Sequence, residues 1–115
     1  MSAEAGSARK LVIQPAGGIG QHAGRLQTFA EPLTARLVDA GTGDRVSGVP
    51  VTFSWVSTTQ QVLFEENEIT VTVPTDRQGF ARTPALVAGD VDGTATFTVT
   101  AEGAEPAHFE VTVVP

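Results

Sequence analysis

The run Gly93-Thr-Ala-Thr-Phe-Thr-Val-Thr-Ala101 sets an apolar residue at every second position and a threonine at each position between. A period of two fits only an extended strand, whose successive side chains point to opposite faces. Wound into a helix, the same residues would spread Ala95, Phe97, Val99 and Ala101 around every side. A strand with one apolar face has to bury that face against a second layer. The nature of that layer follows from the rest of the chain.

No segment sustains a 3.6-residue apolar period, so helices are not expected to supply it. Strand signals recur instead, separated by Gly, Pro and Asp. Leu11-Val-Ile13 forms a first apolar run closed by Pro15. Leu33, Ala35 and Leu37 alternate with Thr34, Arg36 and Val38, and Val51, Phe53 and Trp55 with Thr52 and Ser54. Val62 to Glu65, the alternating set Ile69, Val71 and Val73, Phe80 to Thr83, and finally Phe109, Val111 and Val113 complete the series. Asp39–Asp44, Thr75–Gly79, Gly89–Gly93 and Glu102–Pro106 read as turns. Threonine and valine, fifteen each, reinforce the reading, because both are β-branched and favour strands. The expected fold is all-β: an antiparallel sandwich of seven to eight strands. Alternation makes Phe53, Trp55, Phe97 and Phe109 its core anchors.

At 115 residues the chain is long enough for one core. Residues 9–115 are expected to form that single domain, with 1–8, small and polar, as a linker or appended tail. The net charge is −6, with one lysine and six scattered arginines, which argues against a sequence-independent grip on nucleic acid. Cysteine is absent, so disulfides and thiolate chemistry are excluded. No apolar run approaches the ~20 residues of a membrane span, so no direct membrane insertion is expected.

Residues 32–53, from Pro32-Leu-Thr-Ala-Arg-Leu-Val-Asp-Ala-Gly41 to Val46-Ser-Gly-Val-Pro-Val-Thr-Phe53, resemble the bacterial immunoglobulin-like group 1 domain of invasin- and intimin-type adhesin stalks. The resemblance continues through Thr75-Asp-Arg-Gln-Gly-Phe-Ala-Arg-Thr-Pro-Ala-Leu-Val-Ala-Gly89, the Gly93–Ala101 run and Phe109-Glu-Val-Thr-Val113, and so covers most of Leu11–Val114. It implies an immunoglobulin-like sandwich from a tandem array on a bacterial surface or secreted protein. Two features depart from the family pattern. Trp55 stands where a smaller apolar residue is usual, and Ser57–Glu68 is longer and more acidic than the usual connection.

Several groups invite a chemical reading. Gly18-Ile-Gly20-Gln-His-Ala23 fits G-x-G-x-x-A, but a dinucleotide site needs a following helix to aim N–H groups at the pyrophosphate. Gly24 and Pro32 oppose one, and a loop between the first two strands is expected. Asp39, Asp44, Asp90 and Asp92 offer oxygen ligands, yet their spacing is not that of a calcium loop, and Asp beside Gly is ordinary turn chemistry. Glu65, Glu66 and Glu68 could pair carboxylates for glycoside hydrolysis, but the chain lacks tyrosine and its one tryptophan alternates inward. A solvated hairpin is expected there. His22 and His108 stand in no recognisable catalytic motif and read as surface residues.

The chain therefore reads as a non-catalytic module, without cofactor or resident metal, extracellular or on a bacterial cell surface. It is expected to be monomeric in isolation, with the neighbouring domains of its own polypeptide as partners. Seven strands, an odd number, would place its ends at opposite poles. The alternative is a module that binds glycan or protein through the 57–68 stretch, with Gln60, Gln61, Glu65, Glu66, Asn67 and Glu68 as the binding residues.

Overall fold

A computed structural model describes residues 10–56 and 62–115. The tail assigned to residues 1–8 lies outside the described residues. Among these the strands are β1 (Leu11–Gly17), β2 (His22–Gly24), β3 (Thr34–Asp39), β4 (Pro50–Trp55), β5 (Val62–Phe64), β6 (Thr70–Pro74), β7 (Phe80–Arg82), β8 (Leu86–Ala88), β9 (Gly93–Ala101) and β10 (Ala107–Val114). One sheet has the order β2-β10-β9-β4-β6. It faces β1-β3-β7, whose layer is continued by the β5-β8 pair. This is an immunoglobulin-like sandwich.

Ten segments exceed the seven or eight expected because two strands are interrupted. Pro84 lacks a backbone donor and separates β7 from β8. The first strand is divided between the sheets: β1 pairs antiparallel with β3, and β2 then pairs parallel with β10. The sandwich is thus not wholly antiparallel, and the segment expected as a loop contains β2. The fingerprint-like glycines make this crossing. Gly18 sits at φ 80°, and a Cβ there would fall on the carbonyl oxygen of Pro32. Gly20 N–H donates to Glu110 O (2.7 Å), and the Gln21 amide clamps Glu31, donating to its carbonyl and accepting from its N–H.

The ends do lie at opposite poles. Leu11 N–H donates to Gly103 O (2.9 Å) in the β9–β10 turn, whereas Val114 stands in register with Gly24 at the far end. With about 3.3 Å of rise per residue, the eight residues of β10 put roughly 25 Å between the poles.

Period-two alternation is realised where both neighbours of a strand are present. Ala95, Phe97 and Val99 of β9, Phe109, Val111 and Val113 of β10, and Val51 and Phe53 of β4 are buried, facing Leu33, Ala35 and Leu37. Phe97 packs on Phe64 at 5.3 Å between ring centroids, and Phe53 meets Phe109 edge-on at 6.4 Å. Trp55 differs from the expected core anchor: it is half-buried against the margin of the core. It is the last residue of β4, and beyond it Val56 N–H still bonds to Thr96 O of β9 at 3.0 Å. On edge strand β6, Val71 and Val73 are likewise half-buried, and Ile69, just before it, is exposed.

The Thr75–Gly79 turn shows why its residue types are needed. Asp76 Oδ1 accepts from the N–H groups of Phe80 and Gln78, both at 2.9 Å. The bond from Phe80 is the chief reason its carboxyl titrates below the ordinary aspartate range. That contribution to stability is present above the unfolded pKa and is lost as pH falls through the depressed folded value. Gly79 holds φ 84°, and an added Cβ would lie 2.8 Å from Leu37 O.

Two stability measurements follow. Phe97→Ala is expected to cost about 3–5 kcal/mol, as for a fully buried aromatic, and Trp55→Ala clearly less. Urea midpoints would check this, and an equal loss at both sites would contradict the half-buried placement of Trp55. Gly79→Ala is expected to destabilise by about 1–3 kcal/mol through backbone strain and close approach. An unchanged melting temperature would refute that.

Candidate functional site

The acidic stretch that departs from the family pattern is part core and part surface. Val62 and Phe64 are fully buried on β5, which lies in the strand run expected from Val62 and pairs with β8; the glutamates read as a solvated hairpin follow it in a turn. After β5 the chain makes a 3₁₀ turn, Glu65–Asn67, in which Glu66 takes φ 67°. The turn is tied down by Glu65 N–H to Ala85 O and by Phe64 N–H to Glu68 O, both 2.8 Å. Glu65, Glu66 and Glu68 are exposed. Gln60 and Gln61 lie outside the described residues, as does the side chain of Asn67. The geometry thus brings together three surface carboxylates on a fixed turn.

The remaining candidates are placed apart from one another. His22 is exposed on β2 and His108 on β10. Among the described residues no three His, Asp or Glu side chains converge as a metal site would require. Asp39 Oδ1 accepts from the N–H groups of Gly41 (2.8 Å) and Thr42 (3.1 Å), which is turn-forming chemistry. Asp92 is engaged by Arg25 at 2.6 Å, and that hydrogen bond is the main cause of its lowered pKa. This pair, 67 residues apart in sequence, has no local signal and was missed by the sequence reading. It ties the segment after β2 to the β8–β9 turn.

The Trp55 ring cannot serve as a fully open stacking face, since it packs partly on the core and its Nε1 is buried without a partner among the described residues. The outer face of the larger sheet is hydroxyl-rich. Thr52 and Thr72 share a hydrogen bond at 2.9 Å, and Thr70 donates to Ser54 at 3.3 Å. A surface cavity of about 390 Å³ lies at the amino-terminal pole, between Leu11, Val12 and Ala104 and flanked by Lys10 and Glu105. Among the described residues its lining holds one carboxylate, Glu105, whereas glycoside hydrolysis uses a pair.

No protein-family model matches the sequence, and no curated protein matches it either. Solved structures do. The adhesin InvE of Yersinia pseudotuberculosis superposes with a TM-score of 0.68 at 18% identity, over 93% of this chain and 32% of that one. Domains 4 and 5 of the S-layer protein SbsC match with a TM-score of 0.59 at 22% identity, over 93% of this chain and 54% of the other. The D00-D0 domain of intimin matches with a TM-score of 0.56 at 20% identity, over 92% and 46%. The fold is therefore the immunoglobulin-like sandwich found in invasin- and intimin-type adhesins. The chain spans about a third to about half of the structures it resembles.

The turn geometry predicts that calcium does not contribute to folding. Melting curves recorded with excess calcium and with chelator are expected to overlay, because an ion that binds the native state would raise the midpoint by mass action. A calcium-dependent rise would mean that Asp90 and Asp92 close a coordination shell after all.

Proposed function

We propose that this chain is a non-catalytic module of a larger bacterial surface or secreted protein, which spaces or presents the domains joined to it. The observation that carries the reading is the placement of β1 and β10: one begins at one pole, and the other ends at the opposite pole. Copies joined end to end then extend a rod by one domain length each. Tension along that rod runs parallel to the strands, so separating the ends shears the β1–β3 and β2–β10 pairings together instead of opening them one bond at a time. The matched adhesin, intimin and S-layer structures support a cell-surface setting.

A second reading has one observation in its favour: the turn after β5, where Glu65, Glu66 and Glu68 are exposed and Glu66 lies in the left-handed region. A rigid charged loop on a sandwich is a common form of recognition site. In this reading the module binds a glycan or a protein through that turn and the neighbouring Gln60 and Gln61.

The two separate in the full-length parent. Replacing Gln60, Gln61, Glu65, Glu66, Asn67 and Glu68 with serine is expected to leave its adhesion unchanged and the melting temperature nearly so. A tenfold loss of binding with the fold intact would place about 1.4 kcal/mol in this turn and make the module a binder.

A further inference from the structure

The chain sets seven cations against thirteen carboxylates, yet three of its arginines stand together without a carboxylate partner. Strand register brings them to the outer face of the smaller sheet. Arg36 of β3 is paired with Phe80 of β7, and Arg82 lies two residues further along β7. Arg45 bridges Val38, two residues beyond Arg36 on β3. Side chains two apart on a strand, and those directly paired across it, share one face. Arg36, Arg45 and Arg82 therefore cluster around Phe80, with the Arg36 guanidinium carbon 5.4 Å from the centre of its ring. Among the described residues no carboxylate forms a salt bridge with any of the three. The Nε–H of Arg36 is buried and has no acceptor there either. Asp76, whose carboxyl feels Arg82, is taken up by the N–H groups of Gln78 and Phe80. A guanidinium laid on a ring and short of an acceptor is a fixed donor, unlike a freely moving surface charge.

A surface cavity of about 550 Å³ is lined by Arg36 and Arg45 together with Gly43 and Asp44. Two guanidiniums against one carboxylate leave it positive. On the other side of Arg36, exposed Gln14 of β1 stands in register with it. An amide, a guanidinium and a ring thus follow one another across three strands. We propose that this face binds the carboxylate of an acidic sugar, with Arg36 and Arg45 holding the oxyanion and Gln14 a neighbouring hydroxyl. A planar carboxylate matches the arginine fork, and an amide both donates to hydroxyls and accepts from them. The net charge of −6 opposes the approach of a densely charged polymer, such as nucleic acid or a heavily sulfated chain. A saccharide that carries single carboxylates between neutral rings meets little of that repulsion. The face lies on the side of the domain, so a module joined to others at its poles keeps it open.

Titrating the isotope-labelled chain with a trisaccharide that carries one glucuronate, followed by NMR, tests the site. Amide resonances of residues 43–45 and 80–82 are expected to shift, and the neutral trisaccharide with glucose in that place is expected to leave them unmoved. Arg36→Gln and Arg45→Gln are each expected to weaken binding about tenfold, and Arg36→Lys, which keeps the charge without the fork, nearly as much. Asp44→Asn is expected to tighten it about threefold by removing the opposing charge. Arg25→Gln takes the same charge from the distant Asp92 pair and is expected to leave the affinity unchanged. Melting temperatures show which variants are folded, and if Arg36→Gln is not, Arg45→Gln at its exposed position carries the test. Absence of shifts, equal shifts with the neutral sugar, or an equal loss in Arg25→Gln would each overturn the proposal. Equally tight binding of a glutamate peptide of the same charge would overturn it too, by giving the face to a protein partner. None of these outcomes touches the spacer reading, which is tested by substitutions in the 60–68 stretch of the parent.

Discussion

Two layers of strands become one domain through the packing of Phe97 against Phe64. Phe97 is at the centre of the larger sheet, with β10 on one side and β4 on the other. Phe64 belongs to the short β5, which has a single hydrogen-bonded partner. Tilted aromatic pairs at this separation gain energy beyond the area they bury. Here the pair also holds a three-residue strand that could not persist by its own backbone bonds. The acidic turn that follows β5 is positioned by the same contact, so the most exposed part of the molecule is fixed by one of its most buried residues.

The division of the first strand between the two sheets shapes the molecule in a comparable way. A strand confined to one layer would leave the edge beside β10 open for pairing with another chain. By crossing at Gly18–Gln21, the chain covers that edge with β2 and continues toward the far pole. The crossing needs a close backbone approach at Gly18 and the clamp between Gln21 and Glu31. A motif that could pass for a phosphate-binding loop is thus required by the geometry of an edge. The polarity of the domain, with one end at each pole, depends on it.

Two of the carboxylates that looked available as ligands are engaged: Asp39 by backbone N–H groups of its own turn, and Asp92 by Arg25. The histidines stand on separate exposed strand positions. The exposed large apolar side chains among the described residues, Val12, Ile19, Leu26, Val56, Ile69, Val87 and Val91, are spread over the surface.

The alternation of Thr94–Ala101, Val51–Phe53 and Phe109–Val113 was legible in the sequence because a strand has a strict period of two and each of these strands is covered on one face. The same rule, applied one residue further, makes Trp55 a core residue, yet it is half-buried, since burial at a strand end depends on what packs beyond it. The run from Val62 was legible as a strand signal, but three residues are too few to show which of them are buried, and the pairing of β5 with β8 decides that. The parallel β2 and the Arg25–Asp92 tie are equally invisible along the chain, because each joins residues far apart in sequence. Local patterning, fixed by the alternation of side chains about an extended backbone, determined that this protein is a β-sandwich. Where its edges close, which carboxylates are occupied and what its ends present were decided only by tertiary packing, through contacts that have no local sequence signature.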